Sequence, residues 1–162
     1  MDYTPPLTIT GWVHISYGQY YLMAHGAGEP EPPTEDGLIL SNEADEGSLY
    51  IASETQHGKI RLIVRVYDRE PSLDSGEWDH IESSEIRAES ADIDVIKWGG
   101  GSPPGFTGLA DSGPGLYEVR VYRRRRLFRP EDVSPEEESD RDVDIEDGMR
   151  EEHLIEMWLA DE

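Results

Sequence analysis

KIRLIVRVYDR, residues 59–69, is the stretch that decides the fold class. Its even-numbered positions from 60 to 66 are all apolar: Ile60, Leu62, Val64 and Val66. A period of two, rich in β-branched residues, is typical of a strand with one buried face. The alternate positions include arginines, so this strand is predicted to have a cationic outer face.

The same period extends to both sides of this strand. Residues 7–17 alternate, Gly18 interrupts them, and residues 19–24 form the predicted return strand of a hairpin. Further strands are predicted at 37–41, 47–54, 78–89, 93–98, 116–126 and 153–160. No amphipathic helix longer than two turns is expected.

These patterns predict an all-β protein, a single-domain antiparallel β-sandwich of about eight or nine strands over residues 1–162. The segment 99–115 holds seven Gly and three Pro and is predicted to be a flexible loop. The segment 131–152 is predicted to be an acidic insertion, and disorder is one of its possible states.

Charge is the strongest compositional feature. The chain of 162 residues has 36 Asp+Glu against 14 Lys+Arg, a formal net charge of −22. This charge excludes direct binding to a nucleic-acid backbone, which needs a basic face on the protein. It also disfavours binding to an anionic membrane surface. Arginine outnumbers lysine, with 12 Arg and two Lys, as in GC-rich genomes or salt-loving hosts, and a host-wide acidity would say nothing about partners.

Other features narrow the class of protein. There is no Cys, so disulfides and thiolate zinc sites are excluded. The N-terminal residues 1–7 lack the basic and apolar regions of a signal peptide, and no apolar run of about 18 residues occurs, so a cytoplasmic protein is expected.

The acidic block 131–152 has 12 acids and two Arg, a net charge of −10 that leaves −12 for the other 140 residues. Three interpretations stay open: a solvated segment, a docking surface for a basic partner, and a calcium site. The docking hypothesis rests on five acids: Asp140, Asp142, Asp144, Glu146 and Asp147. The arginines at 123–126 are expected to pair with this block within the molecule.

The calcium hypothesis rests on spacing. Five acids fit positions 1, 3, 5, 7 and 12 of an EF-hand loop: Asp140, Asp142, Asp144, Glu146 and Glu151. However, Ile145 stands at the position where the sharp turn of that loop needs Gly. The template is therefore only partly matched, and no metal or other cofactor is assigned.

No pattern for catalysis is found. The five His share no metal-ligand spacing, and no nucleophile elbow, P-loop or dinucleotide fingerprint occurs. A non-enzymatic protein is expected. Most aromatic residues are expected to pack in the core or across strands. Trp12 falls on the face opposite Val13 and Ile15, which makes it a candidate interface anchor.

Three patches resemble a known family. ISYGQYYL (15–22), GLYEVRVYRR (115–124) and HLIEMWLAD (153–161) are similar to strands of the ComJ or Nin family, small inhibitors of the DNA-entry nuclease in bacterial competence. This chain has Leu159-Ala160 where the family ending has a Pro after its Trp. The resemblance implies a cytoplasmic β-sandwich without catalysis that binds a nuclease.

Three functional hypotheses follow. The first is an acidic binding protein, an inhibitor or immunity-like partner of a basic protein such as a nuclease. The second is a calcium-responsive β module. The third is a structural protein that assembles through its edge strands, and the sequence does not define the oligomeric state.

Overall fold

The computed structural model describes residues 6–24, 39–42, 45–89, 92–110, 112–127 and 149–160. These residues form nine strands and, within the described ranges, no helix. The strands are β1 (Leu7–Ser16), β2 (Gln19–Ala24), β3 (Ile39–Asn42), β4 (Asp45–Ala52), β5 (His57–Tyr67), β6 (His80–Ala88), β7 (Ile93–Lys97), β8 (Gly115–Leu127) and β9 (Met149–Leu159). The all-β class and the number of strands are confirmed.

The strands belong to one sheet of order β3-β4-β2-β1-β5-β9-β8-β6, and β7 pairs with β2 off this path. The outermost strands β3 and β6 contact each other, so the sheet curls nearly into a barrel. The described strands form one sheet and not the two of a sandwich, so the sandwich prediction is not confirmed. The prediction of purely antiparallel pairing is wrong, because β5 and β9 run parallel from Arg61–Glu152 to Tyr67–Trp158.

The curl begins at the turn between β1 and β2. Tyr17 and Gly18 both have positive φ, 58° and 68°, as in the two-residue type I′ turn of a hairpin. The two strands pair only at Ser16 and Gln19. β2 then leaves β1 and pairs with β4 on one side and β7 on the other.

The core lies inside the curled sheet. Alternate residues of β1, β5, β8 and β9 face those of β2, β4 and β7, so the buried set is one cluster. The segment 99–115 adds to this core, because Phe106 and Leu109 are buried and backbone bonds tie both to β7. Gly11 leaves room for the Phe106 ring, since a Cβ there would lie 3.1 Å from it. The flexibility of 99–115 stays a prediction.

No helix in the described part of the chain is long and apolar enough to cross a membrane.

Candidate functional site

The strand directions bring several ends to one edge of the sheet, here called the turn end. β1 and β8 finish at this edge, while β5 and β9 begin there. The segment 128–148 joins Leu127 to Met149, which are paired neighbours at the turn end. The five predicted docking acids, Asp140, Asp142, Asp144, Glu146 and Asp147, lie in this segment, outside the described residues.

Trp12 lies on the outer face of β1, opposite buried Val13, and is half-buried. Its ring centroid is 5.5 Å from the Arg61 guanidinium carbon and 5.8 Å from that of Arg150. The two cations lie on neighbouring strands and hold the ring by cation–π attraction. Its role as an interface anchor stays a prediction.

Arginine side chains lie near the end of β8 and the start of β9, the two strand ends that segment 128–148 connects. Arg124 contacts Glu152 at 2.7 Å and Arg126 contacts it at 3.6 Å, while Arg123 lies 3.4 Å from Glu54. Since Glu152 is the last residue of the acidic block, the predicted pairing between 123–126 and this block is confirmed there. The Arg124 guanidinium also lies over Trp78, 4.1 Å from its centroid, which fixes its position.

Glu151 and Glu152 are not part of a solvated block, because both are buried in β9. The carboxylate of Glu151 accepts hydrogen bonds from the backbone N–H of Thr55 at 2.8 Å and of Glu54 at 3.2 Å. It also lies 2.5 Å from His153 Nε2. Both oxygens of Glu151, one of the five acids of the calcium hypothesis, are thus bonded inside the protein, and the calcium site stays a prediction.

His153 links this carboxylate to β2. Its Nδ1 lies 2.6 Å from the Tyr20 hydroxyl, and all three side chains are buried. The two ring nitrogens of His153 thus contact the Glu151 carboxylate on one side and the Tyr20 hydroxyl on the other. The linked side chains of Tyr20, His153 and Glu151 connect β2, β9 and the loop before β5 beneath the turn end.

The pKa values of Glu151 and Tyr20 reflect burial together with nearby charges and hydrogen bonds. Burial raises the pKa of Glu151, but the hydrogen bond and charge of His153 and the bond from Thr55 outweigh it, so that the pKa falls to about 2. Burial, with the nearby charge of Glu151, raises the pKa of Tyr20 well above its ordinary value. At neutral pH Glu151 is thus an anion and the Tyr20 hydroxyl is neutral.

A second polar cluster covers the outer face of β8 and β9. Arg120 contacts Glu156 at 2.7 Å, and the Tyr122 hydroxyl donates to the same carboxylate at 2.5 Å. Arg120 also donates to the carbonyls of Pro71 and Ser72, at 3.1 and 3.3 Å. This cluster fastens the segment that connects β5 to β6 onto the sheet.

The described residues show no group of three His, Asp or Glu placed to hold a metal ion. An open pocket of about 250 Å³ lies at the far end of β9, with Asp68, Glu70, Glu118 and Trp158 among its lining residues. Within its lining, the Trp158 indole N–H donates to Glu118 at 2.7 Å.

The sequence missed one surface feature. Tyr17 and Trp98 are among the aromatic residues for which core or cross-strand packing is expected; the structure places both exposed at the turn end, in contact with each other. A signal for this was present, because a Tyr-Gly pair between two strands places an aromatic residue where a two-residue turn prefers Asn or Gly.

The described residues thus define a nearly closed β-sheet protein without helices, in which arginines lie beside the strand ends that an acidic segment connects. Two solved structures share this fold. ComJ from Bacillus subtilis, an inhibitor of the DNA degrading activity of NucA, matches with a TM-score of 0.60 and 11% identity, over 97% of this chain and 100% of that chain. The protein of crocagin biosynthetic gene J matches with a TM-score of 0.59 and 13% identity, over 98% and 100%.

No family model matches the sequence, and no curated protein matches it. The two structural matches confirm the resemblance to the ComJ family at the level of the fold.

Proposed function

We propose that this protein is a non-enzymatic, cytoplasmic inhibitor that binds a basic protein, such as a nuclease, through its acidic surface. The observation that carries the proposal is the match to ComJ over 97% of this chain. ComJ inhibits the DNA degrading activity of NucA, and the same fold offers a frame for the same kind of role.

Electrostatics supports a basic partner. A DNA-degrading enzyme binds phosphates through cationic groups, and carboxylates can occupy the same place. With a net charge of −22, this chain would attract such a surface at long range and speed association.

A large part of this charge belongs to one segment of the sequence. The segment 128–148 has ten acids and two Arg, a net charge of −8, and it leaves and rejoins the sheet at the turn end. Bonded Glu152 and Glu151 fix the residues where it rejoins. Asp140, Asp142, Asp144, Glu146 and Asp147 are therefore proposed as the electrostatic part of the docking surface, with Trp12 as an anchor nearby.

The test is inhibition of DNA degradation by NucA and by other basic nucleases, with binding measured from low to moderate salt. We expect inhibition at low salt and an affinity that falls as salt rises. A variant that neutralises the five acids (Asp→Asn, Glu→Gln) should bind about tenfold more weakly or worse. These substitutions leave Arg150 and Glu151 unchanged, whereas deleting the acidic block through residue 150 would disturb both.

A matched control neutralises five exposed acids elsewhere: Asp68, Glu70, Glu77, Glu85 and Glu89. Both variants have the same net charge, so a difference between them reports position. Equal loss in both would assign the effect to overall charge, and absence of inhibition across the nucleases at low salt would contradict the proposed function.

A further inference from the structure

Two large aromatic side chains are exposed side by side at the turn end. Tyr17 is 55% exposed and Trp98 is 46% exposed. Their ring centroids are 4.5 Å apart with a tilt of 58°, and His57 packs edge-on against Tyr17 at 5.1 Å. We call Tyr17, His57 and Trp98 the aromatic patch.

The backbone holds this patch in a fixed place. The Gly18 N–H donates to the Gln56 carbonyl at 3.0 Å, and the Ser53 N–H donates to the Gly18 carbonyl at 2.9 Å. The turn is thus bonded on both sides to the loop before β5. Rigid aromatic side chains lose little conformational entropy on binding, which is why interfaces favour them.

Tyr17 adopts a backbone conformation that is unfavourable for its type. Its φ of 58° lies in the left-handed region, where Asn and Gly are much better tolerated. The ring does not fill the core in return, since more than half of it faces solvent. An unfavourable residue kept without a packing gain points to a role at the surface.

Charge determines which occupant fits. A second copy of this chain would bring another net charge of −22 to the patch, and a nucleic acid would be repelled as well. A basic protein is attracted, and the open faces of Tyr and Trp rings bind guanidinium and ammonium groups by cation–π attraction.

The aromatic patch and the strand ends that segment 128–148 connects are close enough to lie within one interface. β1 and β8 are separated by β5 and β9, so three strand spacings, about 14 Å, lie between them. One side of a standard interface covers about 800 Å², which is roughly 30 Å across. A partner on the patch is therefore within reach of Leu127 and Met149, the described residues that segment 128–148 connects.

We propose that the aromatic patch is a docking contact that receives arginine or lysine side chains of a basic partner protein. The partner class rests on the proposed function, whereas the patch itself rests on exposure and turn geometry.

The experiment compares Tyr17→Asn and Trp98→Ala with wild type and with Leu73→Ala, a control that removes a 63% exposed apolar side chain outside the patch. Two basic probes are used: NucA and an octa-arginine peptide. We expect both patch variants to bind both probes at least about tenfold more weakly, and the control to bind as wild type does. In NMR spectra the indole N–H signal of Trp98 should shift with the peptide, while that of buried Trp158 should not.

Tyr17→Asn separates binding from folding, because Asn suits the left-handed turn. We expect its melting temperature to equal or exceed that of wild type. If both patch variants bind a probe as tightly as wild type does, the patch is not its docking contact. The proposal is also overturned if the wild-type protein binds neither probe. Patch-dependent binding of the peptide without binding of nucleases would overturn the inhibitor function and retain the patch. Concentration-dependent dimers that the patch variants abolish would reassign it to a second copy.

Discussion

At the scale of single residues, Glu151 is the clearest case of a side chain whose role is set by burial. Two backbone N–H groups and His153 surround its carboxylate, so its charge is retained inside the protein. A buried carboxylate with several donors has a low pKa because each donor favours the ionised form. The same donors would lose their acceptor if the carboxylate were protonated or removed.

Acid should therefore destabilise the protein through this residue. The pKa of Glu151 falls from 4.5 to about 2 on folding, so its contribution to stability is present above about pH 5 and is lost as the pH falls toward 2. The shift corresponds to about 3 kcal/mol at most. Urea unfolding of wild type and Glu151→Gln between pH 7 and pH 2 should show a smaller loss in the variant.

Glu89→Gln, which changes an exposed acid, serves as the control and should follow the wild-type pH profile. Parallel profiles for wild type and Glu151→Gln would show that the bonds to Thr55 and His153 do not shift this titration.

The burial of Glu151 was hard to predict from the sequence for a physical reason. It stands next to the end of the acidic block 131–152, and charge alone favours solvent for every acid of that block. The signal that was present is the alternation of Glu151, His153, Ile155 and Met157, which extends the strand backward from its apolar part. Two of the groups that make burial tolerable, the backbone N–H groups of Glu54 and Thr55, come from residues 97 and 96 positions away, and a strand pattern does not identify them.

At the scale of elements, β8 and β9 form the best connected pair on the outer face, and Arg120 is its centre. Its guanidinium bonds Glu156 of β9 and two carbonyls of the segment that follows β5. It also lies 5.0 Å from the Trp158 ring centroid. One side chain thus joins two strands and a long connection.

Arg120→Met should destabilise the protein strongly. The Glu156 side chain is only 2% exposed, so the substitution leaves a buried carboxylate without its cation, which typically costs about 3–5 kcal/mol. Chemical denaturation should give the loss, and limited proteolysis should show earlier cleavage near Ser72. Arg69→Met, at an exposed position, is the control and should change the free energy of unfolding by less than about 0.5 kcal/mol.

Strand existence followed from the sequence, whereas strand partners did not. β5 was predicted at 59–69 and observed at His57–Tyr67, because its alternation records which face is buried. Alternation does not record the direction of a neighbour, so the parallel contact of β5 with β9 could not be derived. The parallel pairing arises because β9 inserts between β5 and β8, beside a β8 strand that runs the opposite way.

At the scale of the whole molecule, closure of the sheet and excess charge oppose each other. Contact between β3 and β6 leaves less free strand edge for assembly, which weakens the self-assembly hypothesis. The charge of −22 repels within the compact state and is expected to lower its stability at low ionic strength. Local pairs such as Arg124–Glu152 offset only part of this repulsion.

Salt should consequently change folding and partner binding in opposite directions. Between 0.01 and 0.15 M NaCl the Debye length shortens from about 30 to about 8 Å, which screens repulsion across the molecule and should raise the melting temperature. The same screening should weaken attraction to a basic nuclease. Calorimetry or fluorescence melting and binding measured over one NaCl series compare the two effects directly.

The shape of the melting curve against salt also tests the host-adaptation interpretation of the acidity. Screening of repulsion is nearly complete once the Debye length is about 3 Å at 1 M, so the melting temperature should level off there. A protein adapted to a saline host would keep gaining stability at molar salt and would lose its fold near 0.01 M. A melting temperature that falls as NaCl rises from 0.01 M would contradict both and would show that ion pairs such as Arg120–Glu156 outweigh the repulsion of 22 excess negative charges.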